Sequence, residues 1–159
     1  MQRILTIAAL ALLIGCAGTP AAQVEEPAMI DFTTLKVPSS PNTWVVAPEG
    51  YLTTAKADTA APVYSQDPDA VFEKLVAIVK ATPRTSSVKA DPATRHISYS
   101  ARVAFTVFRD DVDISVIEAG NGGSTLVAYS RSRVGYSDFG VNERRLNSLI
   151  SKLTAELAK

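Results

Sequence analysis

Apolar and polar positions along the chain follow two periods, and these divide it into helices and strands. After Asp67, the residues Val71, Phe72, Leu75, Val76 and Val79 recur at the spacing of one helix face. Asp67 has an N-capping side chain, and Pro68 suits the first helical position, where no backbone N–H is required. Pro83 ends the run. A second helix is predicted from Asn142 to Leu157, with Leu146, Leu149, Ile150, Leu153 and Leu157 on one side. Between the helices the period drops to two. Ile97, Tyr99, Ala101, Val103, Phe105 and Val107 alternate with Ser98, Ser100, Arg102 and Thr106, which predicts a half-buried strand from His96 to Phe108. Val112, Ile114 and Val116 alternate with Asp113 and Ser115 on the next strand. Gly120-Asn121-Gly122-Gly123 then supplies a hairpin connection to a long strand from Ser124 to Val134. Arg84 to Lys89 reads as a strand, Asp91-Pro92 as a turn, and Arg109-Asp110-Asp111 as a tight turn between two strands.

Upstream, Pro38-Ser39-Ser40-Pro41-Asn42 breaks any regular element, and Trp44, Val45 and Val46 pin the segment to the core. Pro48 to Pro62 shows no convincing element, and Val63-Tyr64 is a candidate short edge strand. Short turns between successive strands imply antiparallel neighbours. The expected fold is α+β: a two-layer sandwich in which an antiparallel sheet of about four to five strands carries two helices on one face. The other face is expected to be polar and solvated, or to form a concave binding surface.

The N-terminus follows a different pattern. Ile4 to Ile14 is apolar apart from Thr6, with Arg3 before it and Leu13-Ile14-Gly15-Cys16 at its end. About eleven residues suit a signal-peptide core and fall short of the roughly twenty a spanning helix needs. The closing tetrapeptide resembles the bacterial lipobox, whose cysteine is acylated. The expected organisation is a lipoprotein signal peptide at 1–15, an acylated N-terminus and flexible tether at 16–36, and a single α+β domain at 37–159. Fully extended, the stretch from Ala17 to Pro27 reaches about 35 Å. Cys16 is the only cysteine, so the folded part has no disulfide, thiol nucleophile or thiolate metal ligand. Ala17 follows it, without an aspartate, which resembles an outer-membrane sorting signal. The chain is thus expected to be lipid-anchored through Cys16 in the bacterial envelope, facing the periplasm, at the outer rather than the inner membrane.

Composition narrows the function. Lysine plus arginine and aspartate plus glutamate number 16 each, which argues against a nucleic-acid partner. His96 is the only histidine, so a multi-histidine zinc site is excluded. A serine–histidine hydrolase would have to use it, and the chain has no G-x-S-x-G elbow. Asp110, Asp111 and Asp113 lack both the length of a calcium loop and a partner carboxylate across a cleft. They read as a solvated turn with one carboxylate paired to arginine. No metal and no cofactor is expected.

The remaining candidate chemistry lies in Ser130 to Arg145, SRSRVGYSDFGVNERR. Gly135 and Gly140 permit backbone angles that other residues resist. Ser137 and Asp138 can accept backbone N–H bonds, Asn142 can cap the following helix, and Arg133 and Arg145 can reach Asp110 or Asp111. The simpler reading is a structural corner. The sharper one is an anion or headgroup site built from Arg133, Ser137, Asp138, Asn142, Arg145, Asp110 and Asp111.

Three motifs carry a family resemblance. Pro38-Ser39-Ser40-Pro41-Asn42, Phe108-Arg109-Asp110-Asp111-Val112, and Ser132-Arg133-Val134-Gly135-Tyr136-Ser137-Asp138-Phe139-Gly140-Val141-Asn142 with Arg145 resemble the PSSPN, F-x-D-D-V and S-R-x-G-x-S-D-x-G-x-N-x-x-R motifs of the bacterial domain-of-unknown-function family 1499. The likeness spans about residues 37–158. Thr43 stands where the family often has cysteine, and Tyr129 where it often has arginine. The resemblance implies the domain boundaries and an envelope setting, and brings no reaction with it. Two principal readings follow. One is a non-catalytic binding or assembly-support domain, whose partner is an envelope protein or a small amphipathic ligand. The other is an envelope enzyme acting on an anionic lipid or cell-wall fragment through Asp110, Asp111 and the arginines. A purely structural lipoprotein is a third.

Overall fold

A computed structural model describes residues 29–104, 106–120 and 122–159. The signal peptide, Cys16 and the tether as far as residue 28 lie outside the described residues.

Helix α1, Pro68–Ala81, begins as its sequence dictates. The Asp67 side chain accepts the Asp69 N–H at 2.8 Å, and Pro68 takes the first turn. It stops at Thr82, which is extended (φ −77°, ψ 123°), because the residue before a proline is pushed out of the helical region. The strands are β1 Thr43–Ala47, β2 Thr59–Ala60, β3 Thr85–Asp91, β4 His96–Arg102, β5 Arg109–Gly120 and β6 Gly123–Ser132. They form one six-stranded sheet in the order β2-β1-β6-β5-β4-β3. All neighbours are antiparallel except β1 and β2, which are parallel. Helix α2, Val141–Leu157, closes the chain. Among the described residues no helix is long and apolar enough to cross a membrane.

The α+β class holds, and both helices pack on one face. Val71, Phe72, Leu75 and Val79 of α1, with Leu146, Leu149 and Leu153 of α2, form one core with Val46, Ile97, Tyr99, Val112, Ile114, Val116, Leu126 and Ala128 of the sheet. The sheet is larger than the expected four to five strands and is not wholly antiparallel. Residues 43–47 are a full strand paired with β6, and Thr59-Ala60 adds a short parallel edge. A two-residue strand carries no periodicity, so sequence pattern has nothing to detect there.

Two further expectations are corrected. The strand from His96 ends at Arg102, residues 103, 104 and 106–108 belong to the connection (Phe105 lies outside the described residues), and Arg109, Asp110 and Asp111 are the first residues of β5. Asp110 pairs with Ala101 and Asp111 with Ser100 in the ladder, so the proposed solvated turn is buried strand. Nor is the second face of the sheet left to solvent. Val45, Ala47, Val127 and Tyr129 meet Phe32 and Leu35 in a second apolar cluster, with Ile30, Val37, Tyr51, Leu52, Ala55 and Ala57 against it. Phe32 and Leu35 belong to the stretch assigned to the tether, and Phe32 lies in a short 3-10 turn, Phe32–Thr34. Strand β6 is therefore buried on both faces from Gly123 to Ser130, which is why its sequence is nearly continuous in small and apolar residues.

Gly123 shows how closely β6 is approached. A Cβ there would lie 2.6 Å from the Tyr64 carbonyl oxygen, which accepts the Ser124 N–H at 2.9 Å. Gly123→Ala is expected to force the Tyr64–Ser124 bridge apart and cost about 1–3 kcal/mol, read as a lower urea midpoint. An unchanged midpoint would mean that the Tyr64 backbone yields freely.

Candidate functional site

The three sequence motifs meet at one corner, where β1 starts, β6 ends and α2 begins. Asn142 is fully buried in the first turn of α2. Its side-chain amide donates to the Asn42 carbonyl at 2.8 Å and to Ser132 Oγ at 3.2 Å, and its Oδ1 accepts Ser130 Oγ–H at 2.6 Å. Asn42 in turn donates from Nδ2 to the Gly135 carbonyl at 2.6 Å and accepts Ser40 Oγ–H at 2.8 Å. Asn142 does not cap the helix. That task falls to Asp138, whose carboxylate accepts the Gly140 and Asn142 N–H groups at 3.0 and 2.7 Å, while Gly140 occupies the N-cap position at φ 74°. Ser137 Oγ accepts the Phe139 N–H at 3.3 Å.

The two neighbouring aspartates point to opposite faces of the sheet, because successive strand residues alternate. On the helix face, Asp110 is bound by Arg145 Nη2, and Arg145 Nη1 also donates to Ser130 Oγ and Asn142 Oδ1. On the other face, Asp111 receives Arg133 through Nε at 3.0 and 3.1 Å and Nη2 at 2.8 Å, with Ser100 shared between them at 2.9 and 3.1 Å. The candidate residues thus divide into three groups: Asp110, Asn142 and Arg145 under α2; Asp111 and Arg133 on the opposite face; and Ser137 and Asp138 in the loop. They bond to one another and to backbone. Chemically, this is a corner that holds three chain segments in register.

A second polar chain went unread in the sequence. Ser115 Oγ lies 2.9 Å from His96 Nδ1, and His96 Nε2 lies 3.2 Å from Asp113 Oδ1. A carboxylate only accepts, so Nε2–H points at Asp113. The order serine–histidine–aspartate resembles a hydrolytic triad, but the imidazole is buried and Phe32 stacks on it at 5.7 Å between ring centroids. The Ile30 N–H reaches the same Asp113 oxygen at 3.4 Å. The chain therefore fastens the 30–35 segment to the sheet. His96 faces Ser115 directly across the β4–β5 ladder, a juxtaposition that depends on register rather than sequence spacing. Among the described residues, no three of His, Cys, Asp and Glu are grouped to hold a metal ion.

An open cavity lies elsewhere, between α2, the end of α1 and the end of β4. It measures about 440 Å³. Tyr99, Ala101, Val103, Val141 and Leu149 give it apolar walls. Arg84, Arg102, Arg144, Arg145 and Lys152 also line it, and no carboxylate does. Arg84, Arg102 and Lys152 form no ion pair among the described residues. Arg84 is held at φ 65°, a left-handed angle uncommon for a residue with a side chain. Burial pushes the Tyr99 phenol above its ordinary range, against the opposing pull of the Arg145 charge. Sequence reading missed Arg84, Arg102, Arg144 and Lys152 because they come from a loop, a strand and a helix and share no motif.

Removing one partner of the buried Arg145–Asp110 pair strands the other. Arg145→Met is expected to cost about 3–5 kcal/mol, with much of that regained in the double variant Arg145→Met/Asp110→Leu. Asp138→Ala, which loses a cap, is expected to cost about 1 kcal/mol. Urea denaturation of the variants checks both, and a double variant no better than the single would contradict the pairing.

Known proteins resemble the chain at two levels. No curated protein matches it in sequence. Among solved structures it is similar to the di-domain ARO/CYC BexL from the BE-7585A biosynthetic pathway, at 17% identity and TM-score 0.39, over 62% of this chain and 42% of that one. It is likewise similar to Ara h 8.0201, at 10% identity and TM-score 0.41, over 62% of this chain and 94% of that one. The chain spans less than half of the first of these. A family described as "Protein of unknown function (DUF1499)" matches residues 34–153, which takes in all three motifs of the corner, and the chain belongs to that family.

Proposed function

We propose that the chain is a non-catalytic binding domain of the bacterial envelope, lipid-anchored through Cys16, that holds an amphipathic anion in the cavity beside α2. One observation carries this reading: about 440 Å³ of space with apolar walls, lined by Arg84, Arg102, Arg144 and Lys152 besides the paired Arg145, and by no carboxylate. An apolar wall rewards burial of a hydrocarbon or ring, and unpaired guanidinium groups recognise carboxylate or phosphate oxygens. The corner serves this site by fixing α2 against the sheet. Arg145 reaches Asp110 from the same helix that supplies Arg144, Ser148, Leu149 and Lys152 to the cavity. The anchor and the periplasmic setting rest on the Leu13-Ile14-Gly15-Cys16 sequence.

The test is native mass spectrometry of the protein released from its own membranes in mild detergent. An added mass is expected. It should be lost in Ser148→Trp, which fills the cavity from an exposed position, and in Arg102→Glu, which reverses one wall charge. Both variants should melt within a few degrees of the parent. Retention of the mass in both would place the ligand outside this cavity, and a bare mass from the parent would overturn the reading.

A further inference from the structure

The described residues expose seven large apolar side chains, and five of them belong to two loops. Val107 and Phe108 lie in the β4–β5 connection, and Val134, Tyr136 and Phe139 in the β6–α2 connection. Both loops leave the same end of the sandwich, and the Arg133 N–H donates to the Arg109 carbonyl at 3.2 Å between them. Single exposed apolar residues need no explanation, but a group on adjoining loops does.

Phe139 is the most telling. Its side chain is 87% exposed, and its backbone sits at φ 53°, which a residue with a Cβ resists. The loop over-determines that conformation. Ser137 accepts the Phe139 N–H, Asp138 accepts the next N–H at Gly140, and Arg144 Nη1 donates to the Phe139 carbonyl at 3.0 Å. Hydrogen bonds from both sides thus hold an aromatic ring out in water.

Charge decides what such a group fits. The chain is neutral overall, but its charges are sorted. Arg84, Arg102 and Arg144 stand at the end that carries the apolar loops, where α1 finishes, β4 finishes and α2 starts. Asp67, Asp69, Asp91 and Glu118 stand at the other, where α1 starts and β3 and β5 finish, with Arg95 paired to Asp69 and Glu118. Of the carboxylates near the apolar loops, Asp110 and Asp111 are engaged by arginine and Asp138 by backbone N–H groups, which leaves Glu143, in the first turn of α2, against three arginines. Exposed aromatic and aliphatic tips flanked by arginines match an anionic bilayer surface, with rings at the boundary of headgroups and acyl chains and guanidinium groups at the phosphates.

We propose that this end of the domain docks on anionic lipid, with Val107, Phe108, Tyr136 and Phe139 inserted and Arg84, Arg102 and Arg144 against the headgroups. Arg84, Arg102 and Arg144 also line the cavity, so the two proposals share them, and quenching at position 139, which a cavity ligand does not produce, tells them apart. Val103, Ala104, Val141 and Arg144 line that cavity beside the same loops, so docking turns its mouth toward the lipid.

The test uses the mature protein from its host, carrying Phe139→Trp in a Trp44→Phe background, with vesicles whose acyl chains are brominated. Trp44 is the only native tryptophan, so the introduced indole is the sole reporter. In vesicles containing phosphatidylglycerol its emission should fall by about half as it reaches acyl-chain depth. The quenching should weaken as salt rises, because surface charges are screened. Arg102→Glu with Arg144→Glu should bring the quenching at position 139 down to the level seen in pure phosphatidylcholine, while the acylated Cys16 keeps the protein on the vesicle, with thermal unfolding unchanged. Ala93→Trp in the same background, at the opposite end, should stay unquenched. Three results would overturn the proposal: no quenching at position 139 in anionic vesicles, equal quenching in pure phosphatidylcholine, or equal quenching at positions 93 and 139.

Discussion

Everything at the motif-bearing end of this domain depends on one buried amide. Asn142 has no solvent exposure, so its donors and acceptor must be met inside the protein, and they are met from two other segments: Asn42 before β1, and Ser130 and Ser132 at the end of β6. An unmet amide in that position would cost about 1–3 kcal/mol. The constraint therefore fixes the start of β1, the end of β6 and the first turn of α2 relative to one another. Arg145, one helical turn further on, adds a charge that Asp110 neutralises. A buried ion pair of this kind contributes less to net stability than to choosing one arrangement over others. That use fits a corner from which two loops and a cavity wall project.

The sheet is covered on both faces by different means. The helices bury one face with long aliphatic side chains on regular stripes. The other face is closed mainly by irregular chain on either side of β1, residues 30–37 and 51–57, through Phe32, Leu35 and their neighbours. Irregular chain brings unpaired backbone groups with it, and polar side chains on the sheet and loops receive several of them. Asp113 takes the Ile30 N–H, Asp58 takes the Val45 N–H at 2.8 Å, and Thr54 donates to the Leu35 carbonyl at 2.8 Å. The buried His96–Asp113–Ser115 chain belongs to this economy of backbone groups. Its resemblance to a triad follows from placing three common polar residues on adjacent strands.

The corner and the exposed loops are two sides of one arrangement. Asp138 caps α2 and, through Gly140, sets the angle at which Phe139 leaves the loop. Arg144 both ties down the Phe139 carbonyl and lines the cavity. Structural and binding roles are thus assigned to neighbouring residues of one short stretch, which explains why that stretch stands out in the sequence without any single residue in it having the marks of a catalyst.

The helices were legible because period and caps are local properties: the Val71–Val79 stripe and the Asp67-Pro68 start depend only on residues within a few turns. The alternating strands were legible for the same reason, and so was the meeting of Arg133 and Arg145 with the two aspartates, since opposite charges flanking adjoining strands have few other partners. Tertiary structure alone decided the rest. Whether Arg109-Asp110-Asp111 turns or continues depends on what lies opposite, and Ala101 and Ser100 across the ladder make it strand. Alternation then sends Asp110 and Asp111 to opposite faces, so residues adjacent in sequence serve separate pairs. Membership of β1 in the sheet, the cover supplied by Phe32 and Leu35, and the gathering of Arg84, Arg102, Arg144 and Lys152 around one cavity are all contacts between segments distant in the chain. Local pattern carries the propensity of each segment, whereas which segments meet is set by burial and by the demand that every buried polar group find a partner.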